Sequence, residues 1–287
     1  MSLLRPGLLN GRPLSQRLRS RWEWTRPFQL PQYTEGTPRI SGSGTQELYL
    51  PPNPSTLAAA ALGATSDVEA VLGKLSQTED IAGVQTYYRI SREKFGKSWR
   101  YADLLTLLWA SATLNAPESY LEIGVRSGRS AAVVAAVCPE SAIYGFDLWP
   151  DDYAGTSLAG PDFVRSQLKA AGHTGNVTLI TGDSSETLPA FLEQHPNIYF
   201  DLITIDGVKT IVGAASDFAN ALPRLKVGGI VVTDDTCLSP HLSRIWDTII
   251  RRDNRYTFWE FTEGTIGVSA AIRVSDHPVL PSDLEAQ

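Results

Sequence analysis

Tyr120-Leu121-Glu122-Ile123-Gly124-Val125-Arg126-Ser127-Gly128-Arg129-Ser130 is the stretch whose reading decides the fold. A short apolar run carries an acidic residue, two glycines follow four positions apart, and Ala131 to Val137 continues as a helix. Strand, tight turn and helix start form the arrangement that lets backbone N–H groups approach a ligand. A glycine pair is a weak sign alone. Its weight comes from four later hydrophobic runs, most of them ending in an acidic residue.

Those runs are Ile143–Phe146 ending at Asp147, Val177–Thr181 ending at Gly182-Asp183, Phe200–Ile205 ending at Asp206-Gly207, and Gly229–Thr233 ending at Asp234-Asp235. Helical stretches follow the five strands, over Arg129–Val137, Asp162–Ala171, Ser184–Gln194, Gly213–Leu222 and Pro240–Arg251. The pattern then changes. Tyr256–Thr262 and Thr265–Val274 flank Glu263-Gly264 and read as an antiparallel hairpin. Regular strand–helix alternation closed by a hairpin predicts an α/β fold with a mostly parallel, doubly wound, Rossmann-like sheet over residues 117–275, and a short tail, 276–287. Ligands in such sheets bind outside the carboxyl ends of the strands. Glu122, Asp147, Asp183, Asp206, Asp234 and Asp235 all fall there.

Upstream, residues 56–116 read as a helical cap. Ser66-Asp67 is placed to cap a helix bearing Val68, Val71, Leu72 and Leu75, a second helix spans Asp80 to Phe95, and Ser98 precedes a strong run from Leu104 to Ala112 that stops near Asn115-Ala116-Pro117. Such a layer serves as a cover for the sheet, as a lid over a substrate, or as both. Residues 1–55 form a Pro- and Arg-rich arm without sustained periodicity. Its Trp22, Trp24 and Phe28 are costly to leave in water, so the arm is expected to pack on the domain or on a second copy in a homo-oligomer. A transit peptide is the competing reading of this Arg-rich start.

Bulk composition narrows the class. In 287 residues, 43% hydrophobic and 20% charged content suits a globular protein. The net charge of -6 opposes general nucleic-acid binding, although the first 40 residues hold seven Arg against two Glu. No apolar stretch approaches the ~20 residues of a membrane span. The two cysteines, Cys138 and Cys237, lack disulfide-framework or zinc spacing, which points to a reducing cytoplasm.

Five motifs in order, LEIGVRSGRS (121–130), YGFD (144–147), TGDSSE (181–186), ITIDG (203–207) and LKVGGIVVTDD (225–235), resemble those of class I S-adenosylmethionine-dependent methyltransferases. Within that class the chain is most similar to the metal-assisted O-methyltransferases of sugars, macrolides and catechol-like hydroxyls. The resemblance covers about residues 98–274 and implies the seven-stranded methyltransferase sheet. It implies that Gly124, Gly128 and Ser130 line the methionine part of the cofactor, that Glu122 meets its ammonium group, and that Asp147 accepts the ribose hydroxyls. Asp183 and Ser184 would lie beside the adenine, with a helix N-cap as the alternative role of Asp183. Asp206, also counted at the cofactor, would join Asp234 and Asp235 in holding Mg²⁺, whose hard-oxygen preference suits three carboxylates. The plainer alternative makes Asp234 or Asp235 the cap of the helix at Pro240.

The family commonly places an acidic residue and a His after its strand-four Asp-Gly, and an aromatic two positions later. Here the run is Asp206-Gly207-Val208-Lys209-Thr210-Ile211. Lys209 is therefore a candidate base whose pKa falls on burial, and His241, six residues past Asp235, is the other. The implied function is methyl transfer from S-adenosylmethionine to a hydroxyl of a small polar acceptor with Mg²⁺ assistance. A metal-independent methyltransferase and a non-catalytic binding or assembly protein acting through the arm are the alternatives. A nicotinamide enzyme is disfavoured, because Gly124-x-x-x-Gly128-x-Ser130 lacks the third glycine of a dinucleotide site. Selectivity is expected from the cap and from Leu148–Gly160, which holds Trp149, Asp151, Asp152 and Tyr153.

Overall fold

The computed structural model describes residues 30–33, 36–40, 52–150, 160–263 and 266–278. Five parallel strands, β1 (Ser119–Ile123), β2 (Ala142–Asp147), β3 (Val177–Thr181), β4 (Phe200–Ile205) and β5 (Leu225–Asp234), carry the hydrophobic runs predicted from sequence. β6 (Tyr256–Phe261) and β7 (Val268–Arg273) complete a seven-stranded sheet of order β3-β2-β1-β4-β5-β7-β6. β7 is antiparallel to both β5 and β6, so the terminal hairpin inserts its second strand next to β5. Gly264 and Thr265 of its expected turn lie outside the described residues.

The order reverses at β1. From there the chain winds through β2 to β3 on one side, then returns to place β4 on the other. The crevice between the carboxyl ends of β1 and β4 is the switch point at which open α/β sheets bind ligands. Both strands are almost wholly buried, as strands covered by helices on two faces must be.

Nine α-helices are described: α1 (Pro54–Gly63), α2 (Thr65–Leu72), α3 (Glu79–Phe95), α4 (Leu104–Asn115), α5 (Arg129–Val137), α6 (Pro161–Ala171), α7 (Ser184–Gln194), α8 (Ile211–Ala221) and α9 (Pro240–Trp246). The cap departs from expectation at its helix starts. The Asn53 side chain accepts from Thr56 N and opens α1, which the sequence reading did not separate, and α2 begins at Thr65 without a side-chain cap. Ser98 lies in a 3₁₀ turn (Gly96–Ser98); Asp103 caps α4 in a reciprocal box with Thr106. The box wins because it satisfies two backbone donors at once. The expected helix Pro240–Arg251 stops at Trp246 and continues as a π turn.

Residues of α1–α6 share one core cluster with the face of the sheet bearing Tyr120, Leu202, Ile230, Val232, Phe261, Val268, Ala270 and Ile272. Leu107 and Leu108 of α4 are fully buried in it, each contributing roughly 1.5–3 kcal/mol. The opposite face packs on α7, α8 and α9 through Phe200, Ile203, Phe218 and Trp246.

Part of the N-terminal arm is tied down. Arg39 bridges to Val227 in parallel register, and the Tyr33 hydroxyl meets that of Tyr256 at 2.6 Å. Fully buried Arg273 donates to the Leu225 carbonyl (2.7 Å) and to Thr37 Oγ1 (3.2 Å), while the Arg255 guanidinium stacks on the Tyr33 ring at 3.5 Å. Trp22, Trp24 and Phe28, on which the expected arm contact rests, lie outside the described residues. Among the described residues no helix is long and apolar enough to cross a membrane.

Candidate active site

Gly124 follows β1 at φ +91°, a conformation that L side chains rarely adopt. A Cβ there would lie 2.6 Å from the Asp206 carbonyl carbon and nearer still to its oxygen. Asp206 N in turn donates to the Ile123 carbonyl at 2.8 Å. Gly124 thus lets the loops after β1 and β4 meet main chain to main chain. Gly128, at φ +79°, is the N-cap of α5, and a Cβ there would press on Val164 of α6 at 3.0 Å. Close helix packing is therefore part of the reason for the second glycine.

Glu122 is completely buried between these loops. Ser130 Oγ donates to its Oε1 and the Tyr120 hydroxyl lies close to the carboxyl, but among the described residues its Oε2 has no partner in full hydrogen-bonding geometry. Burial, with Asp206 and Asp147 nearby, pushes the Glu122 carboxyl up to about 8. An orphaned carboxylate oxygen deep beside a helix N-terminus costs free energy unless a cation or a donor meets it. The α-ammonium of S-adenosylmethionine answers that requirement, so these residues fit the cofactor that the motifs imply.

Asp147 ends β2 with both oxygens aimed at backbone donors: Arg126 N at 2.7 Å and Trp149 N at 2.6 Å. The Trp149 indole donates to the Arg126 carbonyl at 2.9 Å, closing this loop on itself. Each carboxylate oxygen keeps a free lone pair for a ribose hydroxyl. Asp151, Asp152 and Tyr153 of the expected flap lie outside the described residues. Asp183 takes its helix-capping role, its Oδ1 accepting from Ser185 N (2.8 Å) and Ser185 Oγ (2.7 Å). These bonds hold its pKa below the usual range. Ser184 turns inward instead, donating to Asp217 Oδ1 at 2.7 Å.

Asp217 escaped the sequence reading, being a lone acid on the apolar side of α8. It is buried under Gly207, its Oδ2 has no hydrogen-bond partner among the described residues, and burial pushes it up to about 7.

The acceptor side departs most from expectation. The Lys209 ammonium pairs with Asp206 Oδ1 and lies 3.1 Å from Asp235 Oδ2. Burial pulls the Lys209 pKa down, but Asp206 and Asp235 more than reverse this and leave it raised. The downward shift that would make Lys209 a base is not found. Asp234 does not pair with Lys209; burial, then Asp206 and Asp235, push its carboxyl up to about 8. Asp235 adopts φ +60°, and the cap of α9 is Ser239, so neither aspartate caps that helix.

The expected Mg²⁺ triad is therefore not assembled. Lys209 holds the point on which Asp206 and Asp235 converge. Among the described residues no three His, Cys, Asp or Glu side chains gather around a common point. As folded, these groups do not fit a divalent ion. His241 lies in the first turn of α9, partly buried.

Asp234 pairs in register with Val268 on β7, and Val268 with Phe261 on β6. Register partners point to one face, here the face that packs on the cap. The cap places Tyr101 edge-on to Phe261 (5.9 Å between centroids), and Asp234 contributes to a raised Tyr101 pKa behind burial, Asp103 and Tyr87. Trp99 stacks on Tyr101 at 5.4 Å and 12°. Tyr88, fully buried, donates to Asp103 Oδ2 at 2.6 Å and fixes the segment that carries both rings. Asp80, at the start of α3, pairs with Arg129 at 3.4 Å and so joins the cap to the first turn of α5. Sequence reasoning missed this wall because its members are some 160 residues apart. The cluster of Tyr87, Tyr88, Trp99 and Tyr101 within fifteen residues was the available signal.

Residues 121–236 match the sequence family described as "Methyltransferase domain". With the sheet order, this identifies residues 121–236 as a methyltransferase domain within a Rossmann-like seven-stranded sheet. No curated protein matches the sequence. Among solved structures, the O-methyltransferase TomG of Streptomyces achromogenes, involved in tomaymycin synthesis and bound to SAM, is 19% identical with a TM-score of 0.51, covering 76% of this chain and 99% of its own. The calicheamicin methyltransferase CalS11 is 20% identical with a TM-score of 0.48, covering 82% and 98%. At these identities the TomG likeness speaks for the fold alone.

Proposed function

We propose that the chain transfers a methyl group from S-adenosylmethionine to a hydroxyl of a small polar acceptor, a sugar, a glycosylated natural product or a phenol. The observation that carries this reading is the run of groups across the β1/β4 switch point: orphaned Glu122, the Asp147 loop, then the carboxylates facing an aromatic wall. The cofactor supplies an activated methyl, and the protein supplies alignment and a route for the proton. The acceptor oxygen attacks the methyl carbon, the carbon–sulfur bond breaks, and the acceptor proton passes to a strand-end carboxylate in its ionised form. Asp234 faces the cap, and its raised pKa of about 8 makes the ionised fraction a stronger base. Trp99 and Tyr101 offer flat apolar surface to a ring, while Glu122 holds the methionine ammonium of the cofactor and Asp147 its ribose. Mg²⁺ has no part in this reading, because Lys209 already supplies the positive charge between Asp206 and Asp235.

Isothermal titration with S-adenosylhomocysteine, followed by a screen of hydroxylated acceptors, tests it. Absence of binding at millimolar ligand sinks the cofactor assignment. Cofactor binding with no turnover across sugars and phenols sinks the acceptor class and favours a binding-only protein.

Two further results are expected. Because Glu122 is pushed up to about 8, it is mostly protonated at pH 7 in the free protein. The cofactor ammonium favours the ionised form, so binding releases a proton and tightens as pH rises from 6 to 8. Calorimetry in two buffers of different ionisation enthalpy reads the proton, and Glu122→Gln removes the release. Stability of the free protein moves the other way: a raised folded-state pKa gives stability that is full below the unfolded value and is lost as pH climbs through about 8.

Tyr101→Ala should lower kcat/KM for a ring-bearing acceptor by about tenfold, a loss of ~1.4 kcal/mol. Cofactor affinity should hold within a factor of two. Equal losses in both place Tyr101 in the fold and not at the acceptor.

A further inference from the structure

We propose that Lys209 is the resident cation of the acceptor site, competing with divalent metal ions for Asp206 and Asp235 and excluding them in the folded state. The idea uses the site named in the preceding reading but does not require methyl transfer. Its geometry comes from three elements. Asp206 ends β4 in main-chain contact with the β1 loop, Asp235 follows β5, and Lys209 sits between β4 and α8. Thr210 fixes the near end of that segment, its Oγ1 accepting from Gly213 N at 3.2 Å to cap α8. Lys209 therefore leaves a backbone anchored on both sides, and its ammonium ends on both carboxylates.

Two carboxylates held this close repel, and a cation between them is needed for both to ionise. A metal-assisted site imports that cation. Here the chain provides it, three residues along from one of the two acids. The substitution has a chemical cost and a benefit. An ammonium carries one charge and cannot act as a Lewis acid, so the acceptor oxygen is oriented by a hydrogen-bond donor and not by coordination. In return the site is complete without metal. A divalent ion could enter only if the flexible four-carbon stem of Lys209 swung away, since the ammonium and the ion would otherwise be like charges at one point.

Mn²⁺ binding, read by electron paramagnetic resonance on the full chain at fixed pH and without turnover, tests this. Lys209→Met is expected to bind Mn²⁺ at least tenfold more tightly than the unaltered protein, and adding Asp206→Asn should abolish the gain. Mn²⁺ should also raise the Tm of Lys209→Met while leaving that of the unaltered protein unmoved. Lys209→Gln, which retains a polar neighbour for the two acids, repeats the measurement if Lys209→Met does not fold. Equal Mn²⁺ affinity with and without Lys209, or a gain that survives loss of Asp206, overturns the proposal. Such a failure leaves S-adenosylhomocysteine binding untouched, and failure of that binding leaves the Mn²⁺ comparison standing, so the two readings fall separately.

Discussion

Asp147→Ala is expected to weaken S-adenosylhomocysteine binding by about two orders of magnitude. The carboxylate loses hydrogen bonds from two ribose hydroxyls, each worth roughly 1.5–3 kcal/mol when the acceptor is charged. About 1.4 kcal/mol corresponds to each tenfold, so even the lower figures give roughly a hundredfold. A second loss comes from the protein itself. Asp147 holds Arg126 N and Trp149 N, and without it the loops after β1 and β2 lose their shared anchor. Asp147→Asn, with one acceptor oxygen left, should fall between the two. Titration calorimetry against all three proteins makes the comparison. Full affinity in Asp147→Ala would place the ribose elsewhere and take the cofactor assignment with it.

Gly124→Ala should be the most damaging small substitution in the chain. The left-handed backbone costs a Cβ-bearing residue about 1–2 kcal/mol. The new methyl group also collides with the Asp206 carbonyl, which is backbone and has no rotamer to yield. A total near 4 kcal/mol is at the exceptional end for a point change and would lower Tm by on the order of 10 °C in a domain of this size. Gly83→Ala is the control. Gly83 lies inside α3 with nothing within 4 Å of an added Cβ, so alanine should stabilise by roughly 0.5–1 kcal/mol. Thermal denaturation of the two variants side by side decides it. A Gly124→Ala protein melting with the parent would show that the two loops do not need their contact.

The sheet was legible because each parallel strand announces itself twice, by an apolar run and by the acid or glycine that ends it. β3, β4 and α7 fall at their predicted bounds. Helix starts in the cap were less legible, because Ser76 and Thr78 both precede α3, Ser98 and Asp103 both precede α4, and α2 starts after Ala64 without a capping side chain. Sequence does not say which of them finds a reciprocal partner, as Asp103 finds Thr106. The loop after β1, from Glu122 to Ser130, could be read from local pattern, since it is continuous. The acceptor half could not. Lys209 stands three residues from Asp206, which sequence shows, but its second partner, Asp235, arrives from another strand. Burial alone argued for a lowered Lys209 pKa; the two carboxylates, Asp206 first and Asp235 beside it, reverse the sign. The wall of Trp99, Tyr101 and Phe261 depends likewise on where β7 enters the sheet.

The contact of Gly124 with the Asp206 main chain has a consequence for how such an enzyme can vary. In the proposed reading, donor and acceptor lie on two loops whose spacing is set by peptide groups, not by side chains. On that reading, mutation can rewrite Trp99, Tyr101 and their neighbours, and so change the acceptor, while the reach of the methyl group stays the same. Acceptor choice is open to drift in this fold; the transfer distance is inherited.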